Sequence, residues 1–188
     1  MVSYKKQTEQ KVYFEMPKKK KTAVKKIFLD MDGVLADFDR GVSELCGLEP
    51  LAQGISGPRE ELMWGKIREV GHFYGKLEPM PGAVEMFNDL YDKYRDKVEI
   101  LTGIPKPIRG ITDAADDKVE WVRRFLSKDV KINLVLREHK PQYCTGKDCF
   151  LIDDYKKNIK EWEAGGGTGI LCINTEKTIQ QLKDMDIL

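Results

Sequence analysis

The feature that most constrains the fold is an alternation, from Lys26 onward, of short apolar runs with longer segments of helical periodicity. Five apolar runs have the length and composition of buried strands. They are KIFLD, KVEILT, KINLVL, CFLID and GILCI, which end at Asp30, Thr102, Leu136, Asp153 and Ile173. Strands that alternate with helices form a parallel sheet with helices on both faces. The sequence therefore predicts an α/β fold with three layers, of the Rossmann-like kind.

The span from about residue 39 to residue 80 interrupts this alternation. It contains helix-like pieces and the turn residues Gly57 and Pro58, but no convincing strand. We expect a small helical insert beside the sheet. Its aromatic residues Trp64, Phe73 and Tyr74 either pack a small core or face a ligand.

Charge is distributed unevenly along the 188-residue chain. Residues 1–26 hold nine lysines against two glutamates, a charge of +7, so the remainder carries −6 of the formal net charge of +1. Residues 1–25 are interpreted as a basic leader that solubilises the chain, with binding to nucleic acid or to an anionic surface as the alternative. Residues 26–188 are interpreted as a single folded domain.

Several classes of protein are disfavoured. No run reaches the roughly 20 apolar residues of a membrane span, and residues 1–26 lack the apolar stretch of a secretory signal. The four cysteines match neither a disulfide framework nor a zinc site. We expect a cytoplasmic protein without membrane association.

The string DMDGVLADFD carries the strongest chemical signal. It places Asp30 and Asp32 just beyond the first strand, at the edge where open α/β sheets bind ligands. Two carboxylates this close repel each other unless a cation such as Mg2+ or a shared proton relieves them. Gly33 lets the backbone turn where a side chain would crowd a bound anion. A structural turn and a calcium-type loop are the alternatives to a catalytic site.

Two other strands end in residues that suit the same site. The second ends in Thr102 and is followed by Gly103, which offer a hydroxyl and a backbone N–H to a phosphate oxygen. The fourth ends in Asp153 and is followed by Asp154. Because adjacent side chains of a strand point in opposite directions, we expect one of these carboxylates to face the site and the other to support it.

A phosphate beside these carboxylates needs a fixed positive charge. Lys140 follows the third strand and approaches from the same edge, with Arg137 nearby as a second donor. Lys118 precedes the apolar stripe of a helix and is expected to be solvated, whereas Lys147 in the loop CTGKD is the alternative to Lys140.

These stretches, in this order, resemble the haloacid dehalogenase superfamily of aspartate-nucleophile phosphohydrolases. Within it, the strings DMDGVLADFD, FYGKLEPMPGAVE and LIDDY are similar to the 5'(3')-deoxyribonucleotidases. The resemblance implies that Asp30 attacks phosphorus and that Asp32 protonates the leaving oxygen and then acts as a base for water. It also implies that Thr102 and Lys140 hold the phosphoryl oxygens.

The resemblance further implies a cofactor and a way to bind the substrate. Mg2+ would bind Asp30, the main-chain oxygen of Asp32 and one of the carboxylates of Asp153 and Asp154, with Asp154 favoured. The helical insert would form a cap whose aromatic residues stack on the nucleobase. The candidate substrate-binding residues are Phe38 within the first motif, Trp64, Phe73 and Arg137.

The expected function is therefore that of a Mg2+-dependent phosphomonoesterase that acts on deoxyribonucleoside 5'(3')-monophosphates. One alternative is a phosphatase for another small phosphate ester or for a nucleic-acid 3'-phosphate, and another is a non-catalytic binding protein on the same fold. The expected partner is the small-molecule substrate, without a membrane or nucleic acid, and a homodimer is left open.

Overall fold

The computed structural model describes residues 22–188 and contains a five-stranded parallel sheet. The strands are β1 (Lys26–Leu29), β2 (Val98–Gly103), β3 (Lys131–Val135), β4 (Cys149–Asp153) and β5 (Thr168–Leu171). Their order across the sheet is β3-β2-β1-β4-β5, and every neighbouring pair is parallel. The five predicted strands and the α/β architecture are confirmed, with strand ends that differ from the predicted ones by at most two residues.

Six α-helices accompany the strands in the described part of the chain. They are α1 (Phe38–Cys46), α2 (Pro58–Val70), α3 (Ala83–Tyr94), α4 (Ala114–Phe125), α5 (Lys156–Ala164) and α6 (Thr175–Asp184). Shorter 3-10 segments lie at Tyr74–Lys76, Arg95–Lys97, Pro107–Arg109 and Arg137–Tyr143. Within residues 22–188, no helix has both the length and the hydrophobicity needed to cross a membrane.

Side chains of β1 alternate between two cores, one on each face of the sheet. Ile27 and Leu29 belong to the larger core, into which α3, α4 and α6 also pack. Phe28 belongs to the smaller core, where α5 supplies Ile159 and Trp162. This alternation is what a parallel strand covered by helices on both faces requires, and it confirms the predicted three layers.

The predicted insert, residues 39–80, contains nearly all of α1, the whole of α2 and the 3-10 turn Tyr74–Lys76. Its apolar residues do not form a separate small core, because Met63, Ile67 and Phe73 are buried in the larger core of the sheet. The insert is therefore attached to the sheet by shared packing. The predicted leader lies, up to residue 21, outside the described residues.

The sheet register brings the candidate residues to one edge. Leu29 at the end of β1 pairs with Ile100 of β2 on one side and with Ile152 of β4 on the other. Asp30, Thr102 and Asp153 follow these positions by one or two residues. Since all five strands run in the same direction, their carboxyl ends form a single edge, where ligands bind in open α/β sheets.

Candidate active site

Asp30 follows β1 directly and is buried, although it lines the cavities at the carboxyl edge of the sheet. Its backbone N–H donates to the carbonyl of Ile152 at 2.9 Å. Oδ1 accepts a hydrogen bond from the backbone N–H of Met31 at 2.8 Å, and Oδ2 lies 2.7 Å from Nζ of Lys140. The carboxylate is thus held by the backbone on one side and by a buried cation on the other.

Gly33 brings the loop after β1 close to Asp154. Its φ of +71° lies in the left-handed region that favours glycine. A Cβ at this position would lie 2.6 Å from Oδ2 of Asp154. Both the backbone conformation and the lack of space require glycine here, which confirms the predicted turn.

Lys140 links the ends of β1 and β4. Its Nζ lies 2.7 Å from Oδ2 of Asp30 and 2.7 Å from Oδ2 of Asp153. Burial opposes the charge of Lys140, but the carboxylates of Asp30 and Asp153 outweigh it and raise the pKa of the lysine. Lys147 does not line the cavities described here and offers its main-chain carbonyl to the hydroxyl of Thr168. Of the two lysines considered, Lys140 is therefore the one at the carboxyl edge.

Asp153 and Asp154 occupy different environments. Asp153 is fully buried, and its two oxygens accept hydrogen bonds from Lys140, Asn158 and the backbone N–H of Tyr155. Asp154 is half-buried, and its carboxylate receives one hydrogen bond within the described residues, a long one of 3.3 Å from Nε2 of Gln53. Asp153 therefore supports the site, whereas Asp154 has oxygens free for a ligand.

Burial and mutual repulsion act on both carboxyl groups. Burial, followed by the charge of Asp30, raises the pKa of Asp153 to about 6. Burial, followed by the charges of Asp30, Asp153 and Asp32, raises the pKa of Asp154 to about 8. One carboxylate oxygen from each of Asp30, Asp153 and Asp154 lies within 4.8 Å of the others. Such a concentration of negative charge at a cavity fits a bound cation.

The expectation that Lys118 is solvated is wrong. Its side chain is 0% exposed, and its Nζ lies 2.6 Å from Oδ2 of Asp32 and 3.0 Å from Oγ1 of Thr102. The same ammonium group lies 4.5 Å from the centre of the Tyr74 ring. Lys118 shares the inner face of α4 with Trp121, three residues later, and this spacing is the signal by which the sequence could have revealed it.

Asp32 depends on Lys118 for its hydrogen bonding. Its Oδ1 is buried and has no hydrogen-bond partner among the described residues. Burial raises the pKa of Asp32, the charge of Asp30 adds to this effect, and Lys118 opposes it. Thr102 is fully buried and its hydroxyl oxygen accepts a hydrogen bond from Nζ of Lys118, whereas Gly103 lines a cavity next to Arg137.

Three cavities meet at Asp32. The first, of about 720 Å³, is lined by Asp30, Phe38 and Asp154 among others. The second, of about 390 Å³, extends from Lys140 towards Trp64 and Arg137, and the third, of about 340 Å³, lies between Phe38 and Trp64. Two of the predicted aromatic residues and the predicted arginine therefore line the space beside the carboxylates.

Phe73 is a correction to the predicted substrate-binding set. Its side chain is 0% exposed and lines none of these cavities. The ring packs edge to face against Phe38 and Tyr74, with centroid distances of 5.5 and 5.4 Å. Among the residues that line the second cavity, Arg109 and Tyr155 are two that the sequence did not single out as binding residues, and Tyr74, one of the aromatic residues of the insert, lines it as well.

The cationic groups around the second cavity are already paired. Lys106 lies 3.4 Å from Glu138, and Arg137 lies 3.1 Å from Glu161. Arg109 pairs with Glu60 and Glu61, and its guanidinium lies 5.5 Å from the centre of the Trp64 ring. The cavity is thus not a groove of uncompensated positive charge.

Comparison with known proteins points to one enzyme family. Residues 55–183 match the family model described as 5' nucleotidase, deoxy (pyrimidine), cytosolic type C protein (NT5C). A protein of Vibrio phage KVP40 with the provisional name 5'(3')-deoxyribonucleotidase is 32% identical over 142 residues, which cover 74% of this chain and 71% of that protein. The human mitochondrial 5'(3')-deoxyribonucleotidase is 28% identical over 132 residues, which cover 61% of this chain and 57% of the human protein.

Solved structures share the fold at low sequence identity. A hydrolase from Streptococcus pneumoniae TIGR4 superposes with a TM-score of 0.53 and 12% identity, over 86% of this chain and 99% of that one. A dehalogenase superposes with a TM-score of 0.50 and 12% identity, over 81% and 86% of the two chains. The fold, the order of the motifs and the match over residues 55–183 agree. The chain belongs to the 5'(3')-deoxyribonucleotidase family, and the members of this family are hydrolases of phosphoric monoesters.

Proposed function

We propose that this protein is a Mg2+-dependent phosphatase of deoxyribonucleoside monophosphates that uses Asp30 as its nucleophile. The observation that carries the proposal is the position of Asp30. Its carboxylate is paired with Lys140 at 2.7 Å and lines the two larger cavities, one of which reaches Asp154 and the other Trp64. A phosphate in this space meets the nucleophile, a fixed cation and a metal-binding carboxylate together.

The residues present fit Mg2+. The proposed ligands are Asp30, the main-chain oxygen of Asp32 and Asp154, all of them the hard oxygen donors that this ion prefers. Asp154 suits this role better than Asp153, because the oxygens of Asp153 are occupied by Lys140 and Asn158. When bound, Mg2+ supplies positive charge that offsets the charge developing on the phosphoryl oxygens.

In the first proposed step, an Asp30 oxygen forms a bond to phosphorus while the bond from phosphorus to the ester oxygen breaks. Asp32 gives its proton to the leaving oxygen. In the second step, Asp32 takes a proton from water, the water oxygen attacks phosphorus, and the bond to Asp30 breaks to release inorganic phosphate. Covalent catalysis divides one difficult displacement into two easier ones.

Two lysines and a backbone group support these steps. Lys140 orients Asp30 and faces the phosphoryl oxygens, for which the backbone N–H of Gly103 is a further donor in the same cavity. Lys118 holds Asp32 in place and bonds the hydroxyl of Thr102. Thr102 is therefore proposed to act mainly through Lys118, because its hydroxyl lies within the protein.

The cavity walls support a free nucleotide as substrate. Phe38 and Trp64 line a space of about 340 Å³ beside Asp32 and Asp154, where a planar base can stack. Lys106, Arg109 and Arg137 are each paired with a carboxylate, which disfavours a polynucleotide, since channels for nucleic acid track its backbone with unpaired positive charge. The names of the relatives agree with this choice. The free thiols of all four cysteines support the proposed cytoplasmic location.

The test is phosphate release from 5' and 3' deoxyribonucleotides, ribonucleotides and small phosphate esters, with and without Mg2+. Asp30→Asn is nearly isosteric and is expected to abolish release, whereas Asp89→Asn, an exposed carboxylate on α3, serves as the matched control. Mg2+-dependent release led by deoxyribonucleotides supports the proposal. Full activity of Asp30→Asn refutes the nucleophile, and release led by another ester refutes the substrate class.

A further inference from the structure

A second group of ligand-bearing side chains lies outside the candidate active site. It is found where the segment between α2 and the turn Tyr74–Lys76 meets the start of α4, and it consists of His72, Asp113 and Asp117. Nδ1 of His72 lies 2.8 Å from Oδ1 of Asp117 and 4.0 Å from Oδ2 of Asp113. One ligand atom of each residue lies within 4.8 Å of the other two.

The backbone holds the three side chains together. Asp113 precedes α4 at its N-cap position, and Asp117 follows one turn later on the same face of the helix. His72 has a φ of +50°, which is uncommon for a residue other than glycine. Its backbone N–H donates to Oδ2 of Asp113 at 2.6 Å, which fixes the imidazole beside α4.

Asp117 provides an independent indication that a ligand is missing from this group. Its side chain is only 5% exposed, and one oxygen faces the imidazole of His72. The other oxygen, Oδ2, is buried and has no hydrogen-bond partner among the described residues. A buried carboxylate oxygen without a donor is unfavourable, and a cation bound by this carboxylate would satisfy it.

We propose that His72, Asp113 and Asp117 bind a divalent transition-metal ion of the Zn2+ class. One imidazole nitrogen and two carboxylate oxygens correspond to sites with three protein ligands, which complete their coordination with water. The nitrogen donor favours Zn2+ over Mg2+ and Ca2+, which prefer oxygen ligands alone. Binding requires Nδ1 of His72 to be free of a proton, so an imidazolium releases its Nδ1 proton to solvent, whereas a neutral imidazole carries its single proton on Nε2.

The position of the site gives the ion a structural role. The ion would connect the insert, through His72, to α4, through Asp113 and Asp117. Lys118 is the residue of α4 that directly follows Asp117. Gly75 packs closely on the same carboxylate, since a Cβ there would lie 3.4 Å from Cγ of Asp117. A bound ion therefore fastens the insert to the helix that supplies the partner of Asp32.

The chain has two histidines, His72 and His139, so imidazole NMR signals report the site directly. Zn2+ is titrated into 15N-labelled protein in excess Mg2+, which occupies oxygen-only sites. We expect a single equivalent of Zn2+ to shift the His72 signal and to leave the His139 signal unchanged. No saturable shift of His72, or equal shifts of both signals, overturns the proposal.

Variants locate the bound ion without any use of enzymatic activity. His72→Asn is the main variant, because the side chain is 75% exposed and asparagine tolerates a positive φ. Its Zn2+ affinity is expected to fall by about tenfold or more, and Asp117→Asn is expected to show the same loss. The control His139→Asn keeps the wild-type affinity and stoichiometry. Unchanged Zn2+ affinity of His72→Asn overturns the assignment, even if Asp117→Asn fails to fold.

Discussion

Nζ of Lys118 lies 2.6 Å from Oδ2 of Asp32, a counterpart to the 2.7 Å pair between Lys140 and Asp30. Each aspartate of the string DMD thus has its own buried lysine, one from α4 and one from the 3-10 segment Arg137–Tyr143. Separate cations reduce the repulsion between two carboxylates that are two residues apart. They also give the proposed nucleophile and the proposed acid different surroundings.

Replacement of Lys118 tests whether its contact with Asp32 is needed for the reaction. Lys118→Met keeps much of the side-chain volume but removes the cation, so Asp32 loses its hydrogen-bond donor. We expect the rate of phosphate release to fall by about 100-fold, as measured at saturating substrate, with folding checked by circular dichroism. The control Lys147→Met is expected to match the wild type. From the sequence, Lys118 was expected to be solvated and so to have no part in the reaction. A wild-type rate for Lys118→Met would mean that the buried lysine contributes only to packing.

Alanine variants at Gly33 and Gly54 distinguish the effect of backbone strain from the effect of crowding by a neighbouring side chain. Both have positive φ, +71° and +84°, but a Cβ at Gly54 meets nothing within 4 Å, whereas one at Gly33 meets the carboxylate of Asp154. Alanine at either position should lower the free energy of unfolding by about 1 to 2 kcal/mol. Only Gly33→Ala should also raise the Mg2+ concentration for half-maximal activity, by about tenfold. Equal Mg2+ dependence of the two variants would contradict the proposed metal site.

Trp64 and Phe73 test which aromatic residues contact the substrate. Trp64→Ala should raise the KM for a deoxyribonucleotide by about tenfold, because a base stacked on an aromatic ring gains about 1 to 3 kcal/mol, and should change kcat little. Phe73→Leu should lower the free energy of unfolding by about 1 to 2 kcal/mol and leave KM unchanged. Steady-state kinetics and denaturant unfolding of both variants decide the point. An unchanged KM for Trp64→Ala would contradict the proposed stacking of the base on Trp64.

The environment of Glu99, near the start of β2, indicates that the free energy of unfolding depends on pH. Glu99 is 3% exposed, and this burial by itself would raise its pKa. Hydrogen bonds from Lys26, Asn133 and Lys131 outweigh the effect of burial, so the pKa of Glu99 lies below the ordinary value of 4.5. Because the pKa of the folded state is the lower one, ionised Glu99 stabilises the fold above pH 4.5, and this contribution is lost as the pH falls through the folded-state pKa.

The variant Glu99→Gln should therefore be less stable than the wild type by about 2 kcal/mol at neutral pH. The difference should shrink when unfolding is measured at pH values below the folded-state pKa. Glu120→Gln, at an exposed position of α4, is the control and should show no such trend. If the difference in the free energy of unfolding stays constant with pH, the stabilising effect of Glu99 comes from the shape of its side chain and not from its charge.

The strand ends and the residues that follow them could be predicted from sequence. Short buried runs bounded by polar residues are a local signal, and parallel strands end at a common edge whatever the details of packing. For that reason it could be predicted from the sequence that Asp30, Thr102, Asp153 and Lys140 lie at the same edge of the sheet. The turn at Gly33 could also be predicted, because its positive φ is a local property of the loop, whereas the lack of space beside Asp154 depends on the tertiary structure.

The errors concern residues whose role depends on distant parts of the chain. Lys118 was predicted to be solvated because lysines are rarely buried. Its spacing from Trp121, which places both residues on the inner face of α4, was the better indication of its position. Phe73 and Trp64 are both aromatic residues of the insert, and the choice between core and cavity depends on how the insert packs on the sheet.

Local patterns along the chain were enough to predict the order of the strands and helices, the single edge of the sheet at which the polar residues meet, and the chemistry that those residues can supply. Only the packed fold shows which lysine pairs with which aspartate, which of Asp153 and Asp154 keeps free oxygens, and which aromatic rings face the cavity. The physical reason is that strand formation follows from local hydrophobic periodicity, whereas these pairings depend on the rotation and packing of elements far apart in sequence. Lys118 and Asp32, separated by 86 residues, are an example.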